Sequence, residues 1–124
     1  MKYAVLIVRI LLGLMFAVFG SNAFLHFIPM PEMSGDSGAF IGAMARSGYI
    51  YAIGACQVIG GLLLLIGGRL TALGLTVLGP IIVNILLYHI FLDRAGLGMA
   101  VIVSVLGFFL LWAHRDRFPA IFQL

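Results

Sequence analysis

Charged residues are scarce in this 124-residue chain. Only 9% of its residues are Asp, Glu, Lys or Arg, whereas 64% are hydrophobic. A domain of this length buries a modest fraction of its surface on folding, so its own core cannot hold that much apolar side chain. The composition therefore excludes an ordinary soluble globular protein. It predicts one lipid-embedded domain over residues 1–124.

Three further scarcities disfavour whole classes of function. The single cysteine, Cys56, allows no internal disulfide and no dithiol relay. The basic run at 114–117 is interrupted by Asp116, so no clustered nucleic-acid-binding face is expected. No acidic residue falls inside a long apolar segment, which disfavours proton-coupled transport and also catalysis by a carboxylate pair. We expect no nucleic-acid partner and no activity of the chain on its own.

Four apolar segments are long enough to cross a bilayer, which takes about 20 helical residues. They cover about residues 4–28, 49–66, 70–92 and 97–113. The first resembles a signal peptide, but its apolar run continues past Ser21-Asn22-Ala23, so we expect an uncleaved helix that ends before Pro29 and Pro31. The predicted fold class is all-α, an integral membrane bundle of four antiparallel transmembrane helices.

The first connection, residues 29–48, is the only long one. It begins with a polar, turn-rich stretch from Glu32 to Gly38. Phe40, Ile41 and Met44 then follow at helical spacing. This spacing is typical of a short helix lying at the membrane interface, although an ordinary loop fits it as well.

The distribution of basic residues predicts the orientation. Four spans place both termini and the turn at Arg69 on one side, with Lys2, Arg9, Arg115 and Arg117. The other side holds only Arg46 and Arg94. Because cytoplasmic ends carry the excess of Lys and Arg, we expect both termini in the cytoplasm.

Small or narrow residues recur four apart in every span. In lipid, helices associate where small residues let their backbones approach, so we expect these rows to face one another inside a compact bundle. Cys56 is accordingly interpreted as a packing residue. The rows are Gly13/Ala17/Ser21, Ala52/Cys56/Gly60, Ala72/Thr76/Pro80/Asn84 and Gly96/Ala100/Ser104.

One polar residue from each span falls at a similar depth, about 9–12 Å from the outer helix ends at 1.5 Å per residue. These residues are Asn22, Gln57, Asn84 and Ser104. Polar groups at such depth usually face the bundle or a cavity, and two interpretations stay open. The layer is either a set of interhelical hydrogen bonds that sets helix register, or an outward-opening pocket for a ligand with a polar head, such as a quinone.

The pocket interpretation adds His26 and Tyr88, which lie one turn above the layer. Both His26 and His89 are otherwise expected at the interface rather than as haem ligands. The candidate ligand-binding residues are therefore Asn22, His26, Gln57, Asn84, Tyr88 and Ser104.

Arg9 is a separate polar candidate near the cytoplasmic end of the first span. Its side chain can extend to the lipid headgroups. If it points inward, it needs an anionic partner, for which a lipid phosphate, Asp116 or the carbonyl end of a helix would serve.

Three stretches carry a resemblance to a known family. They are RILLGLMFAVFGSN from Arg9, QVIGGLLLLIG from Gln57, and Pro80 to Asp93 taken together with Trp112 to Phe118. These stretches resemble the DoxX-like membrane proteins, and the resemblance extends over nearly the whole chain. It implies a four-helix protein of the bacterial inner membrane.

The DoxX-like resemblance also implies a functional setting. Some relatives are small subunits of a thiosulfate:quinone oxidoreductase, and others are associated with quinone or oxidative-stress responses. Many members carry an acid where this chain has Gln57, which would pair with the first-helix arginine; the glutamine argues against a charged, proton-linked mechanism. We expect an accessory subunit of a quinone- or sulfur-linked redox system, with a redox partner protein and with quinone as its cofactor. Homo-oligomers are compatible with this expectation, and the alternatives are a ligand-free structural or assembly protein and a small transporter.

Overall fold

The computed structural model describes residues 1–26 and 34–119. Within these ranges the protein contains five α-helices and no strand. Short 3-10 turns, Arg94–Gly96 and Arg115–Arg117, come before and after the last helix. The helices are α1 Lys2–Leu25, α2 Gly35–Ser47, α3 Tyr49–Ile66, α4 Leu70–Phe91 and α5 Leu97–Ala113.

The four long helices α1, α3, α4 and α5 are each long and apolar enough to cross a membrane. This confirms the prediction of four apolar spans. The bounds of α3 and α5 agree with the predicted ones, and α4 ends one residue earlier than predicted. Local hydrophobicity and length therefore place these three spans almost to the residue.

The end of α1 differs from the predicted end at residue 28. The helix ends at Leu25, where His26 takes a left-handed conformation with φ 53° and donates its N–H to the Asn22 carbonyl. A left-handed residue closes a helix by satisfying one of its last free carbonyls. Pro29, Pro31 and Glu32, which the sequence places in the helix stop and the following loop, lie outside the described residues.

The predicted interfacial segment is a helix, and it is longer than expected. It begins at Gly35 rather than near residue 39, so the turn assignment of 35–38 is wrong. Asp36 lies in its first turn, where a negative charge interacts favourably with the helix dipole. Helix α2 packs against α3, and its Phe40 ring lies 5.5 Å from the Tyr88 ring of α4.

Helices α1 and α3 are in direct backbone contact at their glycine residues. Gly13 lies opposite Gly61 and Gly20 lies opposite Gly54, so the two helices run antiparallel. A Cβ atom at Gly61 would lie 2.6 Å from the Ala17 nitrogen and 2.7 Å from the Gly13 oxygen. Glycine is therefore required by the close approach, which is how helices associate without a hydrophobic driving force.

The predicted rows of small residues are only partly correct. Gly13, Gly60 and Ala100 are buried as expected. Two stretches of these rows, one on α3 and one on α4, are instead on the outer surface, so their predicted packing inside the bundle is wrong. The exposed members are Ala52, Cys56, Thr76, Pro80 and Asn84. On α3 the contact with α1 uses Gly54 and Gly61, seven residues apart, because two helical turns return a residue to nearly the same face.

An apolar core lies between the four long helices. Helix α4 contacts α3 and α5, and α1 also contacts α5. Gly74 lies beside Gly60 of α3, and Gly107 lies beside Ile82 of α4, so these neighbours also approach closely. The core consists of Leu12, Phe16, Leu64, Leu75, Leu78, Ile81, Val103 and Leu110.

The α1–α3 contact predicts the effect of adding one methyl group. Gly61→Ala should lower stability by about 1–3 kcal/mol, the usual range for overpacking a closely packed site. Gly98→Ala is the matched control, since a Cβ atom there meets no atom within 4 Å. Thermal unfolding of both variants in detergent, followed by circular dichroism, measures the difference. Equal melting temperatures would contradict backbone contact at Gly61.

Candidate functional site

The chain has two polar ends separated by apolar helix. The terminal end carries Lys2, Arg9, the turn at Arg69, and the basic turn after α5. The α2 end carries α2, the carboxyl ends of α1 and α4, and the amino ends of α3 and α5. Candidate residues predicted from the sequence lie at both ends, and the contacts that they make differ between the two ends.

Arg9 points inward at the terminal end. Its Nη1 donates to the Leu64 carbonyl and, at 3.1 Å, to the Leu65 carbonyl in the last turn of α3. Carbonyls in a last helical turn lack a helical donor and carry partial negative charge. Among the partners considered for Arg9, the carbonyl end of a helix is therefore the one that the guanidinium takes.

Gly67 makes room for the Arg9 side chain directly after α3. Its φ of 77° and ψ of −153° belong to a region that essentially only glycine adopts. A Cβ atom at this position would lie 2.6 Å from Arg9 Cζ. Arg9 and Gly67 together close the carboxyl end of α3, which gives Arg9 a structural role.

A cluster of aromatic and polar side chains lies at the α2 end. The Tyr88 ring lies 5.0 Å from the His89 ring, and Ser37 of α2 is a hydrogen-bond partner of the Tyr88 side chain. The His89 Nδ1 lies 3.0 Å from the Asp93 carbonyl oxygen and therefore carries the proton that it donates there. Gly96 packs against the same imidazole. Tyr88 thus joins α2 to α4, while His89 closes the turn after α4.

The amides of the predicted polar layer do not converge on one enclosed pocket. Asn22 is buried and has an interaction partner. Gln57 is half-buried with its Cβ beside Gly20 of α1, and Asn84 is exposed on α4. Depth along the helices was predictable from the helical rise, but the direction of each side chain around its helix was not.

Ser104 and His26 complete the set of candidate residues. The Ser104 hydroxyl donates to the Ala100 carbonyl of its own helix at 2.8 Å. Ser21 and Thr76 do the same with the carbonyls of Ala17 and Ala72, at 2.6 and 2.9 Å. Such bonds satisfy the hydroxyl proton within one helix and leave the oxygen available as an acceptor. His26 is exposed at the end of α1.

Two apolar grooves open on the outer surface. The α1–α3 groove has a volume of about 350 Å³, and its wall contains Ser21, Phe24, Leu25, Ala55, Val58 and Ile59. The α4–α5 groove has a volume of about 400 Å³, and its wall contains Leu86, Val101, Ser104, Val105, Phe108 and Phe109. Each wall is apolar except for one serine, which suits an elongated apolar molecule with a polar atom.

Of the candidate ligand-binding residues, Ser104 is the one that lines either of these two grooves in the described part of the chain. Its neighbours in the groove wall, Val101, Val105 and Phe108, were not predicted. These three residues follow one another at intervals of four and three residues, but any helix face has that spacing. Nothing in the sequence shows where α4 and α5 leave space between them.

Two observations concern the metal-ligating and thiol side chains in the described part of the chain. No group of three His, Cys, Asp or Glu residues there could hold a metal ion. The thiol of Cys56 is free and exposed.

No protein-family model, curated protein or solved structure matches the chain.

The inward position of Arg9 predicts its contribution to stability. Arg9→Met should lower the free energy of unfolding by about 1.5–3 kcal/mol, because hydrogen bonds from a charged donor contribute in that range. Lys2→Met removes an equal charge from the exposed start of the same helix and should change little. Thermal unfolding in lipid nanodiscs compares the two variants. If Arg9→Met unfolds like the wild type, Arg9 instead extends to the headgroups.

Proposed function

We propose that the chain is a multi-pass protein of the bacterial inner membrane, an antiparallel four-helix bundle with both termini in the cytoplasm. Four apolar helices and five of the seven basic residues at the terminal end support this arrangement. Exposed aromatic rings near both ends suit the two membrane interfaces. They are Tyr3 and Trp112 at the terminal end and Tyr49 and Tyr51 at the α2 end.

Within that membrane, the chain acts as a DoxX-like accessory subunit of a quinone- or sulfur-linked redox system. The observation that supports this proposal is the α4–α5 groove with Ser104 in its wall. A quinone has a flat ring with carbonyl acceptors and a long apolar tail. The groove offers two phenylalanine rings, a hydroxyl and an apolar wall of suitable size.

Ser104 is the polar group that would bind the quinone head. Its hydroxyl, which now donates to the Ala100 carbonyl, can rotate and would donate to a quinone oxygen. Phe108 and Phe109 in the same wall would provide apolar contacts to the ligand. A bound quinone would supply the electron chemistry, for which a cofactor-bearing partner protein would be required. The chain itself binds and orients the quinone.

A ligand-free structural or assembly role is the second candidate. It is favoured by the hydroxyls of Ser21, Thr76 and Ser104, each of which already has a partner in its own helix. The Phe40–Tyr88 contact between α2 and α4 is likewise structural. In this role the polar groups only stabilise helices, and quinone binding is not saturable.

Quinone binding can be tested with two matched serine variants. Ser104→Ala should weaken binding about 2–10-fold, since one hydrogen bond contributes about 0.5–1.5 kcal/mol. Ser21→Ala removes the same kind of hydroxyl from the α1–α3 groove and should leave binding unchanged. Binding is measured by competition of a short-tailed benzoquinone with an azidoquinone photoprobe on the full chain in nanodiscs. Non-saturable labelling, or loss of labelling in Ser21→Ala alone, would contradict the proposed site.

The proposed orientation predicts which cysteines react from outside the cell. In a Cys56→Ala background, Ser47→Cys at the end of α2 should react with a membrane-impermeant maleimide in intact cells. Asp116→Cys, beyond α5, should react only after the membrane is permeabilised. Both positions are exposed, so accessibility of the side chain does not distinguish them. The reverse labelling pattern would show the opposite orientation.

A further inference from the structure

Asn84 is an exposed amide within a membrane-spanning helix. The other amides of the spans are Asn22, which is buried, and Gln57, which is half-buried. Asn84 forms no hydrogen bond with the part of the chain that the structure describes. Its side chain is directed away from the core formed by the four long helices.

The depth of Asn84 places this amide in hydrocarbon. It lies 14 residues after Leu70 and seven before Phe91 in α4, which corresponds to about 21 Å and about 10 Å along the helix axis. The hydrocarbon layer of a bilayer is about 30 Å thick, and water is absent from it. An amide there is costly unless another molecule supplies a donor and an acceptor.

The face of α4 that carries Asn84 has the spacing of a helix–helix contact. Six exposed residues follow one another at intervals of three or four, as in the contact line of two helices wound around each other. We call this set the α4 face: Leu73, Thr76, Pro80, Asn84, Leu87 and Phe91. Leu73, Leu87 and Phe91 are 51%, 46% and 77% exposed, which is a large apolar contribution.

Pro80 adds a second polar group to the α4 face. Proline has no N–H, so the Thr76 carbonyl lacks the donor that an ordinary helix would provide four residues later. Thr76 itself donates its hydroxyl to the Ala72 carbonyl and does not satisfy this group. The α4 face therefore presents both a side-chain amide and a backbone carbonyl to its surroundings.

We infer that the α4 face is the interface of a homodimer, in which Asn84 of one copy hydrogen-bonds with Asn84 of the other. Two copies with the same membrane topology are related by a two-fold axis along the membrane normal, so the two α4 helices are parallel. Residues at the crossing of the two helices then meet their own counterparts at equal depth. An asparagine amide carries both donors and an acceptor, and it therefore pairs with itself.

Neighbouring residues allow the close approach that this pairing requires. A Cβ atom at Gly79 would meet nothing within 4 Å, so the α4 surface is shallow there. Ala52 and Cys56 on the adjacent helix α3 are also small and exposed. Small residues and interhelical hydrogen bonds are the two features that drive helix association in lipid. Lipid tails would cover the apolar part of the face but could not pair with Asn84.

Cross-linking of the full chain in native membranes tests this interface. In a Cys56→Ala background, Leu87→Cys on the α4 face should give disulfide-linked dimers on oxidation with copper phenanthroline. Ile102→Cys on α5, which is 57% exposed and lies at a similar distance from the α2 end, should give none. Adding Asn84→Leu should lower the yield of the Leu87→Cys dimer, whereas Asn84→Gln, which keeps an amide, should lower it less.

The strength of association provides a second, quantitative readout. Energy transfer between labelled copies in liposomes should show a dimer that Asn84→Leu weakens about tenfold, the scale of one polar helix–helix contact. Unfolding temperatures of the variants establish that each monomer is folded, which is expected because position 84 is exposed. Monomeric wild type, equal cross-linking at positions 87 and 102, or unchanged association of Asn84→Leu would each overturn the inference. In a monomeric wild type, azidoquinone labelling that Asn84→Leu abolishes and Ser104→Ala leaves unchanged would instead assign Asn84 to a ligand.

Discussion

The backbone contact between α1 and α3 is the constraint on which the rest of the structure depends. Two pairs of glycines bring the backbones of these helices into contact, so neither helix can rotate without a clash. This fixes which face of α3 is left for α4. It also brings Arg9 over the carboxyl end of α3, where its guanidinium satisfies carbonyls that have no helical donor. Packing and electrostatics thus hold the same pair of helices.

The chemistry of each polar side chain in a span determines where it can lie. A serine or threonine hydroxyl satisfies its proton on the carbonyl four residues earlier, so Ser104 and Thr76 can border lipid. A carboxamide has two donors and an acceptor and cannot be satisfied in this way. Asn22 is buried with a partner, whereas Asn84 is directed outward. This difference separates a residue of the internal structure from one that we propose pairs with a second molecule.

The proposed ligand site and the proposed interface use different parts of α4. Leu86 lines the α4–α5 groove, while Leu87 and Asn84 belong to the α4 face. Successive residues of a helix lie about 100° apart, so one helix can border a groove and present an interface at the same depth. A quinone and a second copy could therefore bind together. An accessory subunit would then hold its ligand beside, rather than within, the dimer contact.

The sequence by itself determined the number of long apolar helices and most of their ends, and for the segment before α3 it favoured a short helix and a loop equally. These features depend on local properties: the length of an apolar run, a glycine pair at Gly67 and Gly68, or a set of apolar residues at helical spacing. It also placed Asn22, Gln57, Asn84 and Ser104 at similar depths, because the rise per residue is constant. Only the tertiary structure decided which way each of them points. The core and the lipid are both apolar, so the pattern around a membrane helix does not distinguish inside from outside as it does in water. The inward turn of Arg9, the exposure of Asn84 and the groove beside Ser104 follow from how the helices pack.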